Sequence, residues 1–81
     1  MQARLVAAKL QQAGINFLNF TEGDDLEDGA VYISESVHVQ VPTYDTGINV
    51  VQQLDEETFA FYPIRKSIKD VLIDLKKALA N

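Results

Sequence analysis

Eighty-one residues carrying a formal charge of −5 hold one domain, residues 1–81, because a second core would leave each half too small to bury its own apolar surface. A chain this short buries only roughly 60% of the surface its unfolded form exposes, so self-association is a natural way to enlarge the core and a homodimer is an expected assembly. With 47% hydrophobic residues, 23% charged residues and no cysteine, the composition argues against a wholly disordered chain and excludes disulfide staples, thiolate metal sites and thiol nucleophiles.

Residues 1–13 are rich in Ala, Leu, Gln, Lys and Arg and contain no proline, which predicts a helix. Its expected apolar stripe is Leu5, Val6, Leu10 and Ala13, with Ala7 and Ala8 small enough to allow close approach to a sheet. Gly14 stands where a left-handed residue ends a helix. Arg4 and Lys9 interrupt any signal-peptide core, and no run is long enough to span a bilayer, so the expected location is the cytoplasm and no membrane partner is expected.

Residues 15–20 are aromatic and β-branched enough for a short strand. Residues 21–29 combine turn formers with Glu22, Asp24, Asp25, Glu27 and Asp28, a composition that belongs in solvent unless something binds it. Residues 30–41 read as one strand, and the period-two stretch 37–41 turns Val37, Val39 and Val41 inward with His38 and Gln40 outward. Carried backwards, that parity buries Glu35, so a bulge or bend is expected near Ser34, Glu35 and Ser36. Pro42 stops the strand, and Gly47 closes the following turn.

Residues 48–53 and 58–62 form the arms of another hairpin, in which Phe59 and Phe61 share a face and are expected as core anchors. After Pro63, the apolar positions Ile64, Ile68, Val71, Leu72, Leu75 and Leu79 follow the helical repeat, Ser67 with Asp70 resembles a capping box, and Lys76 and Lys77 suit the negative helix end. The order predicts an α+β two-layer sandwich: an N-terminal helix, a three- or four-stranded antiparallel meander and a C-terminal helix, with both helices on one sheet face. The other face is expected to be open, carrying His38 and Gln40 with Asn49 or Gln52 beside them.

No catalytic group comes with the helpers its chemistry needs. His38 is the sole imidazole, has only Ser34 and Ser36 near it in sequence, and lacks a glycine-rich elbow. The five carboxylates of residues 21–29 are hard oxygen ligands, but the spacing of a calcium loop is missing. Metal-dependent phosphodiester cleavage of the restriction-nuclease kind needs a Glu-x-Lys on a strand, and no lysine lies between Lys9 and Lys66. Neither a metal nor a cofactor is implied.

Charge is distributed unevenly. Up to Ile64 there are two basic residues against ten acidic ones, whereas five basic residues and only Asp70 and Asp74 follow. Arg65, Lys66, Ser67, Ile68 and Lys69 resemble in spacing the basic opening of the last helix in the double-stranded-RNA-binding domain, whose order is also helix, antiparallel strands, helix. That resemblance implies phosphate contacts by Arg65, Lys66 and Lys69. The net negative charge opposes it, because an acidic protein repels a phosphate backbone at long range.

The leading expectation is a noncatalytic binding or accessory module. Glu22, Asp24, Asp25, Glu27 and Asp28, together with His38 and Gln40 on the open sheet face or an exposed edge, would engage another protein, a basic one for preference. An inhibitor or immunity-type factor that presents carboxylates where a basic protein expects phosphates fits the same features, and the RNA-binding reading is the alternative.

Overall fold

The helix-forming run at the start of the chain folds as α1 (Ala3–Gln12) in the computed structural model, which describes residues 2–80; Met1, the first residue of the expected helix, lies outside the described residues. Gly14 ends α1 at a φ of 90°, the left-handed conformation in which a Cβ is strained. Five strands follow, β1 (Asn19–Thr21), β2 (Gly29–Tyr32), β3 (Val37–Val41), β4 (Asn49–Gln53) and β5 (Phe59–Phe61), before the closing helix α2 (Ile68–Leu79). They form one antiparallel meander in chain order, with each strand paired to the next. The expected class therefore holds, with five strands in place of three or four.

The extra strand comes from residues 30–41, which are two strands and not one bulged strand. Ile33 and Ser34 both donate backbone bonds to the Val37 carbonyl, at 3.0 and 3.1 Å, closing a tight turn. Ser34 Oγ braces that turn by accepting from the Ser36 and Val37 amides, at 3.3 and 3.2 Å. Reversing the chain here leaves Glu35 exposed at the turn, so the parity conflict is removed without burying a charge.

Val31, Val39 and Val50 lie opposite one another across the three central strands. They form the sheet side of a core that also holds Val6 and Leu10 of α1 and Val71 and Leu75 of α2, so both helices cover the same face. The buried side of α1 is Ala3, Val6, Ala7 and Leu10, at i, i+3, i+4 and i+7. Leu5 and Ala13, assigned to that stripe from the sequence, are exposed. Along α2, Val71, Leu75 and Ala78 are buried, Ile68 and Leu72 half-buried and Leu79 exposed, whereas Ile64, assigned to the same stripe from the sequence, lies before the helix and is exposed. Ser67 caps α2 by accepting from the Asp70 amide at 3.3 Å.

Candidate functional site

Strand register carries one row of side chains to the face away from the helices. Tyr32 lies opposite His38, His38 opposite Val51, and Val51 opposite Phe61. Successive residues alternate between faces, so this row lies opposite the side of Val31, Val39 and Val50 that packs on the helices. Phe59, two residues from Phe61, joins the outer face, and their ring centroids are 6.4 Å apart.

The placement corrects the expectation that Phe59 and Phe61 anchor the core: they are 45% and 68% exposed. Every position of Phe59, Ala60, Phe61 and Tyr62 is apolar or aromatic, so composition does not fix which parity turns inward. Tyr62 packs on the core, and its hydroxyl lies 3.5 Å from Gln52 Oε1. Gln52 also faces inward, donating from Nε2 to the Ala78 carbonyl at 3.3 Å. Of the two polar residues expected beside His38 and Gln40, Asn49 alone is on the outer side, opposite Gln40.

The outer row encloses a shallow groove of about 300 Å³, with Asp28, Tyr32, His38, Gln40, Phe59 and Phe61 among its lining residues. Val51, also in its lining, is only 2% exposed. His38 is half-buried, its ring centroid 5.6 Å from that of Tyr32, and burial pushes its imidazole below the ordinary value of 6.5. Ser34 and Ser36, its neighbours in sequence, sit in the turn beyond the strand, where the Ser34 hydroxyl is an acceptor for two amides.

Most of the acidic loop is engaged within the protein. Glu22 accepts from the amides of Ala3 and Arg4, at 2.8 and 3.1 Å, and so caps α1 from a distant part of the chain. Asp24 accepts from the amides of Leu26 and Glu27, at 2.8 and 2.9 Å, which hold its pKa below the usual 3.8. The Tyr44 hydroxyl donates to Asp25 at 2.6 Å, which raises the tyrosine pKa, and Asp28 accepts from Gln40 Nε2 at 2.8 Å and the Thr43 amide at 3.2 Å. The loop is thus laced to the β3–β4 connection and to α1, while among the described residues Glu27 has no side-chain bond of this kind. Its carboxylates still set the sign of the surrounding field.

That field is one-sided. Between Lys9 and Arg65 the chain has ten Asp and Glu residues and no Lys or Arg, so no strand or hairpin connection of the sheet layer carries a lysine or arginine. All seven Lys and Arg residues lie on the two helices or in the segment leading into α2. Among Arg65, Lys66 and Lys69, Arg65 is held by two bonds to Asp74, at 2.8 and 3.1 Å, leaving Lys66 and Lys69 as the exposed cations of that run.

Sequence reasoning located His38 and Gln40 on the open face but missed Tyr32, Val51, Phe59 and Phe61, which supply its apolar character. The legible signal was the shared parity of Phe59 and Phe61, which placed them together though not on which side. Among the described residues no group of three or more His, Asp or Glu is placed to hold a metal ion, and no helix is long and apolar enough to cross a membrane. Comparison with known proteins finds no matching family model, curated protein or solved structure.

Proposed function

We propose that this protein is a noncatalytic binding module whose uncovered sheet face docks a cationic, amphipathic segment of another protein. The observation that carries the reading is the exposed aromatic row of Tyr32, Phe59 and Phe61 beside the groove, set in a layer with ten acids and no Lys or Arg. An aromatic centre supplies apolar area to a partner, and the surrounding negative field selects one rimmed by Lys or Arg while repelling acidic surfaces. The same field argues against a second copy lying face to face, because two acidic layers would meet. A basic protein surface that otherwise receives phosphates is a target of this chemistry, which is how the module would act as an inhibitor.

Calorimetric titration with two synthetic helical peptides tests the reading. One carries a Leu and Phe stripe flanked by Lys and Arg, and the other has each cation replaced by Glu. The cationic peptide should bind, more weakly as salt rises, and the acidic one should not. Equal binding of both, or binding unaffected by Phe61→Ala, contradicts the proposal.

A further inference from the structure

We infer that two copies of this chain join edge to edge through β5, making one continuous ten-stranded antiparallel sheet. Leu54 donates to the Thr58 carbonyl at 2.8 Å and Tyr62 to the Val50 carbonyl at 2.9 Å, so residues 58, 60 and 62 form the bonded pairs with β4. Alternation then directs the N–H and C=O groups of Phe59 and Phe61 to the free edge. These two residues stand symmetrically about Ala60. A two-fold axis there sets Phe59 opposite Phe61 of the second copy and Phe61 opposite its Phe59, and each pair exchanges two backbone hydrogen bonds.

Side chains and charge agree with that register. Both rings of each β5 lie on the outer face, so pairing gathers four phenylalanines into one cluster that neither copy forms alone. Asp55, Glu56 and Glu57 precede β5 and the exposed Lys66 follows it, and antiparallel pairing brings each acidic hairpin toward the second copy's Lys66 while the two acidic hairpins lie at opposite ends. Pro63, the next residue of the edge-facing parity, has no N–H, which limits the pairing to one short register. The contact is isologous and closes at two copies. It leaves the outer face open although it shares Phe59 and Phe61 with the cationic partner proposed above, and its test on the protein alone needs no partner.

Sedimentation equilibrium of the protein alone, over a wide concentration range, tests the inference. The mass should rise from 9.0 kDa to twice that value with concentration, and Phe59→Lys with Phe61→Lys should return it to the single-chain mass while circular dichroism stays unchanged. Amide exchange on the unsubstituted chain gives a readout that needs no variant: the Phe59 and Phe61 amides should be protected at high concentration and exchange freely at low concentration. A single-chain mass at every concentration overturns the inference. So does a dimer in which those two amides remain unprotected.

Discussion

The guanidinium of Arg65 grips the carboxylate of Asp74 through Nε and one terminal nitrogen, and Asp74 is only 1% exposed on the inner side of α2. Arg65 is also bridged to Ile48 through a reciprocal pair of backbone bonds, Ile48 to the Arg65 carbonyl at 2.8 Å and Arg65 to the Ile48 carbonyl at 2.6 Å. The ion pair therefore ties α2 to the strand layer at the point where the chain leaves the sheet. Arg65→Ala leaves a carboxylate buried without its counter-charge, whereas Asp74→Leu leaves a guanidinium that can turn to water. Urea denaturation should show the larger loss of midpoint for Arg65→Ala; the reverse order would contradict this account of the pair.

Glu22 performs for α1 what no local residue does, since Gln2 makes no side-chain cap and the first turn of the helix contains no acid. Glu22→Ala removes both bonds to the helix amides and should lower stability by about 1 kcal/mol. Glu22→Gln, which retains an acceptor, should lose less. Equal midpoints for the two variants and the unsubstituted protein would show that the cap does not stabilise α1.

Burial depresses the His38 pKa from its ordinary 6.5, and the ring facing it across the strand pair is that of Tyr32. As pH falls, the unfolded chain takes up the proton first, near 6.5, so the stabilising contribution is whole above that pH and declines between it and the folded-state pKa. An NMR titration of the imidazole should give a midpoint below 6.5, and His38→Gln should flatten the stability profile in that window. A midpoint at or above the ordinary value would contradict the burial.

Removing a core side chain and an outer-face side chain should separate folding from recognition. Leu75→Ala, at a fully buried position on α2, should cost about 3 kcal/mol. Phe61→Ala, at a position 68% exposed, should cost less than about 1 kcal/mol. Comparable losses, measured by denaturant unfolding, would show that Phe61 belongs to the core after all.

Helix α1 was readable from its helix-forming composition, though Leu5 and Ala13 were wrongly placed on its buried side, whereas α2 and the alternation of residues 37–41 were readable because each has a strong period that matches one buried face. The β2–β3 turn was not, since Ser34, Glu35 and Ser36 fit a bulge as well as a reversal and carry neither Gly nor Pro. Parity failed where it had nothing to discriminate: Val50 and Val51, like Ala60 and Phe61, are adjacent apolar residues of which one faces each way. Asp74 reads as an ordinary exposed acid of α2 until Arg65, from outside the helix, is seen to reach it. The acidic loop read as free charge because the backbone amides and the hydroxyls that engage it come from α1, from the loop's own turn and from the β3–β4 connection.

An isotope-edited NMR titration with the cationic amphipathic peptide locates its contact directly. Chemical-shift changes should concentrate on Tyr32, His38, Val51, Phe59 and Phe61 and diminish as salt is raised. Shifts confined to α1, α2 or residues 65–69, with that outer row unmoved at saturation, would contradict that placement.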